Sequence, residues 1–234
     1  MKPLEDIYDG KDPRDVPSYR AGEAARYLAL SPSTLRAWFF GQRGFHPVIR
    51  PADAGNGLLS FRNLVEAHVL STLRVHHQIP LPKIRKAVKY LAKLTGSDRP
   101  LSDIPVKTDG VSLFLQASQD VLNVTRQGQL ELGGIVEAYL ARVASDSIGP
   151  ISLYPFTRKR EAVVLSTLQS DPRIVVIDPR YSFGRPVLAK TTIRTAVIAQ
   201  RYLAGESIES LAQDYGRSAL EIEEAIRSEV PAAA

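Results

Sequence analysis

The chain of 234 residues has room for one large domain or two to three small ones, with 44% hydrophobic residues, 24% charged residues and a formal net charge of +5. It has no cysteine, which excludes disulfides, thiolate metal sites and cysteine nucleophiles. No apolar run approaches the ~18–20 residues of a membrane-spanning helix, and the acidic start reads as neither signal nor transit peptide, so a cytoplasmic location is expected.

After an N-terminal arm over 1–17, Tyr19 to Trp38 reads as two short helices joined by a tight turn. Ser31 is a good N-cap, since its hydroxyl can accept from free backbone N–H groups of the first turn. Pro32 follows at N1, where its missing N–H costs nothing. Ala25 is small where the helices must approach, and Leu35 is placed to plug the angle between them. This is helix-turn-helix spacing, with the second helix free to enter a major groove. Ser33, Thr34, Arg36 and Ala37 lie early on that helix and are expected to face outward as contacts to base edges. Trp38, Phe39 and Phe40 read as core anchors.

The stretch FFGQRGFHPVIRPADAGNGLLSFRNL is rich in glycine and proline and reads as a loop or short hairpin, a wing. Arg43 and Arg50 lie in it, and with Arg62 they are candidate wing and phosphate contacts. Ser60 caps a helix whose apolar positions, Leu64, Val65, Val69 and Leu73, keep helical spacing to about His76. Another helix begins at Pro82, with Ile84, Val88, Leu91 and Leu94 on one face and Lys86, Lys89 and Lys93 on the other; Gly96 ends it. Residues 16–99 carry thirteen Lys/Arg against four Asp/Glu, so the basic excess coincides with the helix-turn-helix, as phosphate neutralisation requires.

The order helix, turn, helix, glycine-rich wing, then helices opened by Ser60-Phe61-Arg62 and Ile79-Pro80-Leu81-Pro82 resembles the winged helix-turn-helix of the MerR family over residues 18–95. The run Ser31-Pro32-Ser33-Thr34-Leu35-Arg36-Ala37-Trp38 is the most specific part of the match. Ala29 stands where that family usually has a turn glycine, and its long dimerisation helix has no counterpart here. The resemblance implies binding to double-stranded operator DNA. Two-fold symmetry, hence a homodimer, is expected because one helix reads only a few base pairs.

Residues 100–156 read as a small α+β connector. IPVKTDGVSLFLQ and VLNVTRQGQLEL look like short strands split by turns at Asp109-Gly110 and Gln127-Gly128. A short amphipathic helix through Ile135, Val136, Tyr139, Leu140 and Val143 and a strand-like ISLYPF follow.

The strand RIVVID opens the last unit, and Ser207 and Ser218 cap its second and third helices. Gly184, Pro186, Val187, Thr191, Ile193, Gly205, Ser207, Asp214 and Tyr215 make residues 173–229 resemble the C-terminal domain of VapB-type antitoxins. Lys190 replaces a glycine usual in that family, and Thr192 an arginine. The resemblance implies neutralisation of a PIN-type ribonuclease toxin and repression of the antitoxin's own operon. A PIN-type active site gathers carboxylates around its metal, so cations on a fixed turn suit its inhibition. Arg180, Arg185, Lys190 and Arg194 are the candidates. Residues 204–234 carry seven acidic side chains against two basic ones, so the last helix pair is a poor DNA reader and suits a protein partner better.

The histidines His46, His68, His76 and His77 have no metal-ligand spacing, and no hydrolase or phosphate-loop motif is present. No enzymatic activity, catalytic residue, metal or cofactor is expected. The expected fold is mainly α with small β elements (α+β): an arm (1–17), a winged helix-turn-helix (18–99), a connector (100–156), and a three-helix domain led by a β-hairpin (157–234). The expected role is that of an antitoxin and autorepressor. The alternative is a MerR-like regulator that senses a small ligand through its C-terminal half, which a deep apolar pocket between the halves would favour.

Overall fold

The structure, a computed structural model, describes residues 8–42, 44–72, 80–104, 112, 126–158 and 165–230, with the backbone alone over 126–131. In chain order the elements begin with β1 (Tyr19–Arg20), α1 (Ala21–Tyr27), α2 (Pro32–Phe40), β2 (Leu58–Leu59), α3 (Phe61–Ser71), α4 (Leu81–Thr95) and α5 (Pro100–Asp103). Next come α6 (Arg126–Leu140), β3 (Val143–Ser145), β4 (Pro150–Leu153), α7 (Leu165–Ser170), β5 (Val175–Val176) and β6 (Val187–Leu188). The chain closes with α8 (Thr195–Leu203), α9 (Ile208–Tyr215) and α10 (Ala219–Glu229). The fold is therefore mainly α with small β elements, as the sequence predicts. Antiparallel pairing joins β1 to β2, β3 to β4 and β5 to β6.

The short strands do long-range work. Tyr19 pairs with Leu59, closing the wing against the helix-turn-helix. Leu153 and Ile177 exchange backbone hydrogen bonds of 2.9 and 2.8 Å, which ties the connector's hairpin to the strand that opens the C-terminal unit. One apolar core runs from Tyr19, Leu35 and Trp38 through Phe61 and Leu64 to Leu153 and Ile177. A second is built from Leu188, Ile198, Leu211 and Ile222 in the C-terminal unit.

Helix α3 is buried on every side. A capping box starts it: Ser60 Oγ accepts from Asn63 N, and the Asn63 side chain accepts from Ser60 N. From Phe61 to Ser71 every residue is buried, because α5, α6 and β4 pack on the faces that α1 and α2 leave open. Glu66 and His68 are carried inside with it. Burial pushes the Glu66 carboxyl up to about 7, against the opposing pull of its hydrogen bond from Asn63 and of Arg99. Burial also brings the His68 imidazole down to about 4, between the rings of Tyr139 and Phe156, with Nε2 3.0 Å from the Tyr139 carbonyl.

Two expectations for the connector need correction. The Gln127-Gly128 pair makes no turn and the segment after it no strand: Arg126–Leu140 is one helix. Its Leu132, Ile135, Val136 and Tyr139 recur at helical spacing on a buried face, and packing against α3 and α7 overrides the turn preference of its glycines. A Cβ on Gly134 would come within 2.7 Å of Leu165 Cδ2, so the end of that side chain would have to shift. That helix also stops before Val143, which lies in β3. The turn expected at Asp109-Gly110, like His76 and His77, lies outside the described residues.

Candidate nucleic-acid and partner interface

The helix pair α1–α2 is set by its turn. Leu30 N donates to the Ala25 carbonyl at 2.8 Å, and Ala29 is held at φ +52°, a left-handed conformation that a Cβ disfavours. Ser31 Oγ then accepts from Thr34 N at 3.1 Å, with Pro32 at N1, as the capping pattern predicts. Leu35, Trp38 and Phe39 point into the core, and Val48 N and Ile49 N both reach the Trp38 carbonyl to anchor the wing.

The outward face of α2 consists of Ser33 and Arg36, both exposed, with Thr34 half-buried beside them. Its first turn holds no acidic residue. The hydroxyls of Ser33 and Thr34 also meet the capping Ser31, at 3.0 and 2.8 Å. Arg20 and Arg36 frame a groove closed on its far side by the wing turn Ala54 to Gly57. Asp53 shapes that turn by accepting from Asn56 N and Nδ2, and these hydrogen bonds hold its carboxyl below the usual range. Arg50 is exposed on the wing. Arg20 adds a cation that the helix-centred sequence reading missed, although its place directly before α1 was a legible signal.

Two of the candidate contact residues are not on this face. Ala37 is buried at 6% exposure, because its position on the helix turns it toward the core with Leu35 and Trp38. Arg62 is buried as well: it pairs with Asp15 at 3.2 Å and Asp103 at 3.7 Å and donates to the Ile148 carbonyl at 3.4 Å. Its place early on α3 suggests a free surface cation, but the chain folds its own carboxylates over it. Arg43 lies outside the described residues.

The four cations of the C-terminal stretch separate into two kinds. Arg180 is chelated by Asp178, its Nε and Nη2 donating at 2.9 and 2.6 Å. Arg185 pairs with Glu23 of α1, donates to the Ser18 carbonyl at 3.2 Å and stands over the Tyr19 ring. Lys190 and Arg194 are exposed and have no ion pair among the described residues. Lys190 sits at φ +62°, at the tip between β6 and α8.

Arg185 is part of a seam between the C-terminal unit and α1. Tyr19 Oη donates to the Gly184 carbonyl at 2.9 Å, and a Cβ on Gly184 would lie 2.0 Å from Tyr19 Oη. Arg26 Nη1 meets Glu229 at 2.7 Å, and Glu229 also accepts from Thr195 Oγ1 at 2.6 Å. The last helix is therefore less of a solvated acidic face than its composition suggests. Glu224 is fully buried and takes Thr157, Arg158 and Arg227, while Glu221 closes the capping box on Ser218. Beside this seam, between α1 and α10, lies a cleft of about 910 Å³, lined mostly by apolar groups such as Ala25, Leu30, Phe156 and Val230.

Comparison with known proteins places these features in context. A family described as "Protein of unknown function (DUF433)" matches residues 175–227. A Mycobacterium tuberculosis protein that carries an antitoxin name, VapB45, is 28% identical over 227 residues, covering 86% of this chain and 89% of its own. Rv2308, an uncharacterized protein of the same organism, is 27% identical over 223 residues, with 89% of this chain and 88% of its own covered. The crystal structure of Rv2018 from that organism superposes with a TM-score of 0.66 at 25% identity, covering 90% of this chain and 98% of that one. The chain is thus similar along nearly its whole length to an antitoxin-named protein. Among the described residues no helix is long and apolar enough to cross a membrane.

Proposed function

We propose that this chain is the antitoxin of a type II toxin–antitoxin pair, a cytoplasmic and non-enzymatic protein that neutralises a PIN-type ribonuclease and represses its own operon. The observation that carries the reading is the likeness to the antitoxin-named VapB45, which spans 86% of the chain and so includes both the winged module and the C-terminal unit. In this reading a homodimer presents two copies of α2 to successive turns of operator DNA. Ser33, Thr34 and Arg36 read base edges, and Arg50 and Arg20 hold phosphates. The exposed pair Lys190 and Arg194 meets the carboxylates of the toxin's active site, while Arg185 supports that turn from behind through Glu23. Arg180 is charge-compensated by Asp178 and contributes less.

The test is co-expression with the product of the neighbouring gene. Wild-type chain should restore growth, and charge reversal at Lys190 and Arg194 should abolish rescue while operator binding persists. Rescue by the double variant would move the inhibitory contact elsewhere.

A second reading is favoured by the cleft between α1 and α10, whose size falls within the range of small-molecule sites, roughly 300–1,000 Å³. It makes the chain a DNA-binding regulator that senses a small ligand at the junction of its two units.

A further inference from the structure

We infer that the cleft between α1 and α10 binds an apolar molecule carrying one anionic group, a carboxylate or sulfonate on an aromatic or branched aliphatic body. The inference deepens the ligand-sensing reading and rests on it. The body of the ligand is set by the walls: Ala29 and Leu30 in the turn after α1 lie across from Phe156 and Val230, around a space of about 910 Å³. Gly22 widens the α1 wall, since a Cβ there would meet nothing within 4 Å.

The charge of the ligand is set by the rim. Among the described residues, Arg26, Arg158 and Arg227 line the cleft with Glu223 as the one lining carboxylate. The other carboxylates that hold these arginines, Glu224 and Glu229, are turned inward, with side chains 0% and 5% exposed. The guanidinium side chains of Arg158 and Arg227 remain 46% and 44% exposed. Arg158 thus has its counter-ion, Glu224, beneath it, while Arg227 is shared between Glu224 and the half-exposed Glu223; the exposed part of each guanidinium can meet an anion from solvent in charge-assisted hydrogen bonds. The walls come from both units. A ligand there touches α1, which carries the turn into α2, and α10, which is tied to α1 through Arg26 and Glu229.

The experiment is fluorescence titration of the full chain with 8-anilinonaphthalene-1-sulfonate, an apolar anion, and with N-phenyl-1-naphthylamine, the same body without charge. One saturable site per chain is expected for the sulfonate. Gly22→Trp should weaken it at least tenfold with an unchanged circular-dichroism spectrum. Should that variant misfold, Ser228→Trp fills the cleft from the opposite wall and carries the same expectation. Arg158→Gln should weaken the sulfonate at least threefold and leave the neutral dye within twofold. No saturable site in the wild type, or unchanged affinity in a folded wall variant, overturns the site. Equal binding of both dyes, insensitive to Arg158→Gln, overturns the anionic specificity. Growth rescue and operator binding are separate assays, so either failure leaves the antitoxin reading to stand on its own tests.

Discussion

The helix pairs α1–α2 and α9–α10 are built on one plan and face their surroundings in opposite ways. Each second helix is capped by a serine, Ser31 or Ser218, and four residues later an apolar plug is fully buried, Leu35 or Ile222. Two residues before the cap the chain takes a left-handed turn, at Ala29 or Gly216. Five residues after it stands Arg36 in one pair and Glu223 in the other. Arg36 is exposed on a helix whose first turn has no acidic residue, whereas Glu223 is bound to Arg227 at 2.9 Å and looks into the cleft. Spacing creates the helix pair; the charge at a few outward positions decides what that pair can meet.

Truncating the shared plugs should cost both pairs most. Leu35→Ala and Ile222→Ala are each expected to destabilise the chain by about 2–5 kcal/mol, read from denaturant midpoints. A loss under about 1 kcal/mol at either site would break the parallel.

The pairs also differ in what lies beneath them, and pH exposes the difference. The α1–α2 pair shares its core with α3, whose Glu66 and His68 titrate with opposite signs. Glu66 has its folded value raised from 4.5 to about 7, so its contribution is full below 4.5 and is lost as pH rises through about 7. His68 is lowered from 6.5 to about 4, so its contribution is full above 6.5 and is lost as pH falls through about 4. At about 1.4 kcal/mol per pKa unit each is worth on the order of 3 kcal/mol, and between pH 4.5 and 6.5 they offset one another. Thermal melts should therefore be nearly flat there in the wild type. Glu66→Gln should lose stability toward acid, and His68→Phe should lose it toward neutrality. Parallel pH profiles for the two variants would contradict the assignment.

At the outward position, Arg36→Ala should cost about 1–3 kcal/mol of operator affinity if the side chain reads a base. Unchanged binding in gel shifts would remove Arg36 from the contact face.

The smallest effect lies in the turns. Ala29→Gly is expected to stabilise the chain, and Gly216→Ala to destabilise it, each by about 1 kcal/mol. Melts in which the two variants shift the same way would show that the turns are not equivalent.

Much of this was legible in the sequence because it rests on local rules. The serine caps, the proline at N1, the plugs and the antiparallel pair ahead of the C-terminal helices follow from residue type and spacing. Ala29 and Lys190, which stand where the two resembled families usually carry glycine, are both left-handed here, so the resemblance marked backbone conformation. What the sequence concealed depends on contacts distant along the chain. Arg62 reads as a free cation until Asp15 and Asp103 fold over it, 47 and 41 positions away. Arg185 looks available until α1 brings Glu23 beside it. The Arg126–Leu140 helix was hidden by its glycines, whose local preference the packing against α3 and α7 outweighs.

The central claim is that the winged module reads DNA through a compact cationic face. Fluorescence anisotropy of the full chain on the duplex upstream of its own gene, repeated across a series of salt concentrations, tests it most directly. The account predicts sequence-preferring binding whose affinity falls steeply and log-linearly with salt, as several phosphate contacts require, and falls less steeply after Arg50→Ala. Absence of binding at low salt, or an affinity indifferent to salt, would contradict it.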